Sequence, residues 1–514
     1  MYVPLLEPRL TIQTSIFNMK KIILLITFIA TAASLTAQDG ITLHFMRLNP
    51  YSAYSSPSAH LQYRGYIGIP AISNINVALT NTSIHYKTLF GTNSAGTVTT
   101  LKLNDFVDQL APNGNVLSTN LAMNIIDFGF RTKYVRFAFS YRIRMDEFFG
   151  YNKDLFALPI HGNMSYLGES NPAKPELQLN LTLYQEIALG MQAEIQDRFY
   201  IGVRPKLLFG LAHARTNSAH ATLYTDPDDY SMKLNYNLDA NLSCVIPYSI
   251  STDTAGKTSI SIDPNAFLKN WTDAFGNVGA AIDLGFTYRI NNMFGITASV
   301  LDLGFIHWKT NCTHITSAIA PTETNTYYDD GSFMFNGLSE DDIDQLTNDP
   351  EAFANELLEY FPLNFNEQSS FTKALSSRFL VEGYCSLGKS HRFTALFQGR
   401  IFNKQFTPSF TVAWNGTFFN VFDLCVSYTL AKKSYANLGI GIGLNLGVFH
   451  LYAATDNIFA FCNSKSPQRS VLNTSNANIQ AGIVFDWGKL YEKPLKKGEK
   501  ADKAEKKSAK KTKE

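Results

Sequence analysis

Nine charged residues fall where a β-strand would turn them to one side. They are Arg136, Arg142, Arg144, Arg204, Lys206, Arg378 and Arg400, with Glu186 and Glu382. Charges of both signs on one face support two kinds of chemistry. They can line a polar pathway or a constriction that attracts anions. They can also pair with one another and stiffen a filled interior. If the hairpin over 176–211 turns about Gln196, Glu186 lies across from Lys206 and Ala188 across from Arg204. Opposed charges facing each other on adjacent strands contribute about 0.2–1 kcal/mol.

No catalytic constellation accompanies these residues, and the expectation is a chain without enzymatic activity, cofactor or metal. Gly383-Tyr384-Cys385-Ser386-Leu387-Gly388 has the wrong spacing for a nucleophile elbow. Gly91 to Gly96 lacks the lysine of a phosphate-binding loop. His213 and His220 read as solvated loop histidines. The five cysteines are scattered singly, without zinc spacing. Two of them, Cys385 and Cys425, lie in strand patterns as small hydrophobes. Leu338 to Phe361 carries eight acidic residues and no basic one, with Ser339 placed to cap a helix. It reads as a solvated helix or as a divalent-cation site, although its spacing fits no EF-hand loop.

The elements that must hold the charges are strands. From Tyr134 to Arg144, Val135, Phe137, Phe139, Tyr141 and Ile143 alternate with Arg136, Ala138, Ser140, Arg142 and Arg144. Alternate side chains of a strand point to opposite faces, so one face is apolar and the other basic. In a closed membrane barrel the first faces lipid and the second faces the lumen. The pattern recurs in hairpins: 120–131 with 134–144, 176–194 with 199–211, 278–290 with 293–306, 378–387 with 392–402, 406–414 with 421–430, and 435–446 with 449–455. A strand over 74–90 precedes them and one over 478–487 closes the series. Short turns rich in Gly, Asn, Asp and Lys join each hairpin. The connections 145–175, 212–277, 307–377 and 456–477 are long. The expected fold is an all-β, transmembrane antiparallel β-barrel over 74–488, with about 14 strands, or 16 if 218–226 and 230–238 add a hairpin. A short amphipathic helix is expected over 103–110.

Composition agrees with a barrel. The chain is 45% hydrophobic and 13% aromatic, yet mean hydropathy is near zero, as expected when each strand is apolar on one face only. Met19 reads as the start of a signal peptide, with Lys20 and Lys21 before an apolar run from Ile22 to Leu35 and cleavage before Gln38. Residues 1–37 are therefore leader and upstream extension. Residues 38–73 are rich in turn formers and read as a plug inside the barrel or as a first irregular strand. Residues 489–514 hold eleven lysines against five acids. This is a disordered tail, and its expected partner is peptidoglycan or a periplasmic protein. The leader places the chain away from nucleic acid. The expected location is the bacterial outer membrane, in contact with its lipid, with both termini periplasmic.

Several stretches carry a resemblance. Tyr184-Gln185-Glu186-Ile187-Ala188-Leu189-Gly190 with Ile201 to Gly210 resembles a Bacteroidota outer-membrane barrel family of unassigned function. So do Ser299 to Trp308, Asn437-Leu438-Gly439-Ile440-Gly441, His450 to Asn457 and Asn478 to Ile483. The resemblance covers roughly 184–488 and, to a lesser degree, 47–90. That family is similar in architecture to FadL-type fatty-acid channels and PorV-type shuttle barrels. It implies 14 strands with an N-terminal segment in the lumen, and brings no catalytic residues. Two functions follow as expectations: an uptake channel for a small or amphipathic solute, or a structural or shuttle barrel that partners a secretion or surface-assembly machine.

Overall fold

The computed structural model describes residues 40–489, apart from 93–97, 197, 247, 253–257, 263–270, 319–332, 335–362, 403–404, 420, 432–433, 463–470 and 472–473. The leader, the acidic segment 338–361 and the tail from 490 lie outside the described residues.

Alternation of apolar and polar residues produces one closed antiparallel barrel of 14 strands. Strand β1 comes in two segments, Tyr63–Gly68 and Ile75–Asn81. It is followed by β2 (Asn115–Arg131), β3 (Val135–Tyr151), β4 (Leu177–Ile195), β5 (Phe199–Thr225), β6 (Val278–Arg289) and β7 (Phe294–Trp308). Next come β8 (Ser377–Leu387), β9 (His391–Phe402), β10 (Gln405–Phe418), β11 (Phe422–Ala431), β12 (Ser434–Leu446), β13 (Phe449–Thr455) and β14 (Asn476–Lys489). Each strand pairs with the next. Closure comes from β1, which pairs with β14 (Tyr63 with Lys489, Ile75 with Ala481) and with β2 (Gly65 with Phe130, Ile75 with Met123). Among the described residues the wall closes on itself without a free edge strand, as a barrel in hydrocarbon requires.

The two faces differ as the parity predicts. Ile126, Phe128, Leu284, Phe286, Phe410 and Val412 are large, apolar and more than a third exposed, and lie on the outside. Their neighbours Asp127, Asp283 and Thr411 are buried on the inside. An apolar belt all around the molecule is stable only against lipid.

Four local expectations are corrected. The strand over 74–90 stops at Asn81, whose side-chain oxygen accepts from the Ser83 and Ile84 amides and turns the chain. The missing length of wall comes from Tyr63–Gly68, inside the stretch read as plug or irregular strand. Residues 218–226 and 230–238 do pair, but as an upward extension of β5 with Met232–Cys244, so they add no stave and the count stays at 14. Asn415 and Gly416 remain within β10, and the chain turns after Phe418, where Phe419 takes φ 53°. The helix expected over 103–110 is present as Leu103–Gln109.

The turns joining β2 to β3, β4 to β5, β6 to β7, β8 to β9, β10 to β11 and β12 to β13 are short and share one end of the barrel. Gly388 and Gly447 take φ 66° and 73° in two of them. Tyr63 and Lys489 sit at this same end. The long connections gather at the other.

Residues 40–62 occupy the lumen. Ile41–His44 is a single helical turn and Pro50–Tyr54 a 3₁₀ turn. Asp456 anchors the first, its carboxylate accepting from the amides of Ile41 (3.0 Å) and Thr42 (2.7 Å). Further along, the backbone at Pro57 and Ser58 lies directly on Gly202 of β5 and Gly285 of β6. A Cβ at Gly285 would come within 2.7 Å of the Ser58 nitrogen, and one at Gly202 would meet the Pro57 carbonyl more closely still. Only glycine permits that approach.

Candidate functional site

The site grows from one buried carboxylate. Glu186 points inward from β4 and is fully enclosed. Arg142 and Arg144 of β3 and Arg204 of β5 reach it at 2.5, 3.1 and 2.8 Å, and Lys206 at 3.7 Å. Two further carboxylates complete the cluster. Asp302 of β7 accepts from Arg144 (2.7 Å), Lys206 (2.6 Å) and Arg378 (3.0 Å). Asp283 of β6 pairs with Lys206 at 2.6 Å and with Arg204 at 3.5 Å. Asp302 sits in a bulge at φ 58°, and its amide donates to Asp283 at 2.7 Å. The bulge turns the Asp302 carboxylate inward where strict alternation would point it at lipid.

Charges this deep persist only when paired and hydrogen-bonded. The cluster has three carboxylates and five cations, Arg142, Arg144, Arg204, Lys206 and Arg378. The plug covers this surplus of positive charge with an aromatic ring. Tyr54 lies between Arg142 and Arg204, whose guanidinium carbons are 4.2 and 4.4 Å from the ring centre. Its hydroxyl accepts from Asn124 at 2.7 Å. Nearby, the Tyr51 hydroxyl donates to Asp127 at 2.7 Å.

The remaining residues singled out in the sequence stand apart from this cluster. Arg136 donates to the Leu61 and Tyr63 carbonyls at 2.6 and 3.1 Å, fixing the end of the plug. Glu382 faces His44 at 2.6 Å. Arg400 lies nearer the long-loop end, with the Ser376 hydroxyl at 2.7 Å and Asp146 at 3.4 Å.

The cross-strand pairing expected for Glu186 and Lys206 is corrected. The hairpin closes with Ile195 opposite Phe199, a three-residue loop in which Gln196 takes φ 54°. Each pair from the turn to Tyr184 therefore shifts by two, so Lys206 faces Ala188 and Glu186 faces Leu208. Lys206 still reaches Glu186, but diagonally. His213 and His220 are also corrected: both lie in β5, and His213 is buried with Thr182 at 3.0 Å from its Nδ1. Sequence reasoning missed Asp283 and Asp302, whose one available signal was a lone acid inside each of two apolar strands. It also missed Tyr54, because nothing local tells an aromatic residue in a turn-rich segment that two arginines await it. Among the described residues, no group of three His, Cys, Asp or Glu side chains is placed to hold a metal ion.

Two cavities flank the plug. A polar one, with about 50 Å³ of room for the centre of a water-sized group, lies between Tyr54, Asn76, Arg142, Arg144 and Arg378. An apolar one of about 40 Å³ lies between plug residues Ala53, Pro57 and Ala59 and wall residues Ala138, Gly190 and Met191. At this second cavity the β4–β5 ladder pairs Ala188 with Lys206 and next Met191 with Val203, passing over Leu189, Gly190, Arg204 and Pro205. Pro205 has no N–H to give.

Among solved structures the chain is similar to the Pseudomonas putida toluene transporter TodX, at 8% identity and TM-score 0.39, covering 88% of this chain and 98% of that one. The Ralstonia pickettii toluene transporter TbuX is similar at 10% identity and TM-score 0.38, with 86% and 94% covered. A Pseudomonas aeruginosa FadL homologue gives 10% identity and TM-score 0.30, with 88% and 98% covered. No curated protein matches the chain by sequence. A family model does match, over residues 57–456, and the chain belongs to that family of unknown function, DUF5723.

Proposed function

We propose that this protein is an outer-membrane uptake channel, in the manner of FadL-type barrels, for a small apolar or amphipathic solute. The observation that carries this reading is the apolar cavity at the interrupted stretch of wall. It has plug residues on one side and extends to the outward-facing Phe139 and Met191 on the other. Small residues, Ala138 and Gly190, leave room there, and the skipped ladder pairs remove the hydrogen bonds that elsewhere seal β4 to β5. A solute held against the plug has its shortest apolar route through that gap. In this reading the leader beginning at Met19 delivers the chain to the envelope of a Bacteroidota cell, and both termini are periplasmic.

The test is uptake of a small aromatic hydrocarbon into proteoliposomes. Wild-type protein should accelerate it over empty vesicles. Gly190→Leu fills the cavity, whose lining includes Arg204 of the ion cluster but none of its carboxylates, and should return uptake to the empty-vesicle level while the barrel stays folded and heat-modifiable. Equal uptake by the two proteins would remove the gap from the pathway.

A structural or shuttle barrel is the second reading. It is favoured by how completely the plug and the ion cluster fill the lumen, and by the paired extension of β5 and Met232–Cys244 above the barrel. Planar-bilayer conductance no higher than background, together with no uptake, would favour it.

A further inference from the structure

At the long-loop end of the lumen, β5, β7 and the short strand Phe371–Ala374 enclose a third cavity. It offers about 20 Å³ for the centre of a water-sized group, and a single water needs about 10–15 Å³ on that measure. What lines it is unusual in chemical kind. Trp308 is fully buried, and its Nε1–H has no hydrogen-bond partner. His213 is 2% exposed; its Nδ1 is engaged with Thr182, and its Nε2 has no partner. The Nε–H of the half-buried Arg215 also has none. Lys373 adds an ammonium group to the same lining. Tryptophan, arginine and lysine only donate, whereas a neutral histidine donates from one ring nitrogen and accepts at the other. The acid in the lining, Asp146, already holds Arg400 at 3.4 Å and the Asn120 amide.

The donors are also held in place. The His213 ring stacks on Trp308 at 5.1 Å and 23°, and Trp308 stacks on Phe371 at 6.4 Å and 24°. The indole presses against Gly210, where any Cβ would collide with it. Buried donors left unpaired are costly, and two cations facing one cavity without a free carboxylate add to the cost. Ordered water satisfies hydrogen bonds but brings no charge.

We propose that this cavity is an oxyanion-binding site, in which Trp308 and Arg215 donate, Arg215 and Lys373 supply the charge, and the stacked His213 ring holds the indole in place. The shared ligand chemistry is an acceptor-only anionic group such as a carboxylate, phosphate or sulfate. It comes either from a free small anion or from the charged end of a larger solute entering the barrel. The site stands independently of the uptake reading.

The experiment is calorimetric titration of the folded, full-length protein in detergent with sodium phosphate, sulfate, acetate and benzoate, against sodium chloride. Saturable binding of at least one oxyanion is expected. Lys373→Gln and Trp308→Phe should each weaken it by about tenfold or more, the effect of one lost charged hydrogen bond. Lys373 is only part-buried, and phenylalanine keeps a ring in the stack, so both variants should remain heat-modifiable. Binding of phosphate or acetate identifies a free-anion site; binding of benzoate alone identifies the charged end of a larger solute. Absence of saturable binding by all four oxyanions, or wild-type affinity in both variants, would overturn the proposal and leave the donors to ordered water.

Discussion

Glu186 is the residue on which most of the interior charge depends. Four cations converge on a carboxylate with no access to solvent. Glu186→Gln keeps the shape and removes the charge, leaving those cations compensated by Asp283 and Asp302 alone. Breaking a buried pair in this way costs about 3–5 kcal/mol, and a urea titration of the protein folded in vesicles should show a loss of that size. The lipid face obeys a different rule. Phe410 lies at the middle of β10 and faces outward. Phe410→Arg should cost about 2–4 kcal/mol by the same measurement, the penalty for a cation near the bilayer midplane. Phe410→Leu should cost much less. Position 140 is no benign comparison. Ser140 is buried and its hydroxyl accepts from Arg204 at 2.9 Å, so another arginine there would face the surplus of positive charge.

The plug, at the scale of an element, packs Ile41, Leu43, Phe45, Met46 and Leu61 against the wall and is pinned along its length by polar side chains. Its start hangs on Asp456, its middle on Tyr54 between two guanidinium groups, and its end on Arg136. A desolvated cation–π contact is worth about 2 kcal/mol, and Tyr54 makes two. Tyr54→Ala should therefore loosen residues 40–62 and leave the wall intact. Limited proteolysis should cleave the plug faster while heat-modifiability is unchanged. Tyr54→Phe keeps the ring and gives up only the hydrogen bond from Asn124, so it should cleave at close to the wild-type rate.

Topology is testable on the whole molecule. Tyr230 sits, half-exposed, at the tip of the turn between β5 and Met232–Cys244, at the long-loop end, and Lys133 lies in the short turn after β2. If the long loops are extracellular, Tyr230→Cys in a cysteine-free protein should react with an impermeant maleimide in intact cells, and Lys133→Cys should react only after lysis. The reverse pattern would invert the orientation. The lysine-rich tail follows a strand that pairs through Lys489, so truncation after that residue should leave the barrel folded. If the tail binds peptidoglycan, the truncated protein should lose low-salt co-sedimentation with purified sacculi. That interaction should fade as salt rises, because exposed charges are screened within about 8 Å at physiological ionic strength.

What the sequence determined by itself is what repeats locally. A two-residue period assigns faces, and short turn signals against long connections number the staves. A closed barrel of about 14 or 16 strands and its apolar outside were therefore legible from alternation and turn signals together. Register was less so. A turn centred one residue beyond Gln196 moved the β5 partner of Glu186 by two, and the bulge at Asp302 reversed the direction a strict alternation assigns. Barrel closure alone decided the rest. Arg144 meets Asp302 across 158 residues of chain, and Asp456 meets Thr42 across 414. Such contacts depend on the curvature of the wall and on the path of a plug that has no periodicity of its own. A strand's pattern records which way its side chains point; only the closed wall brings the charges, the plug and the unpaired donors at the mouth to the places where they meet.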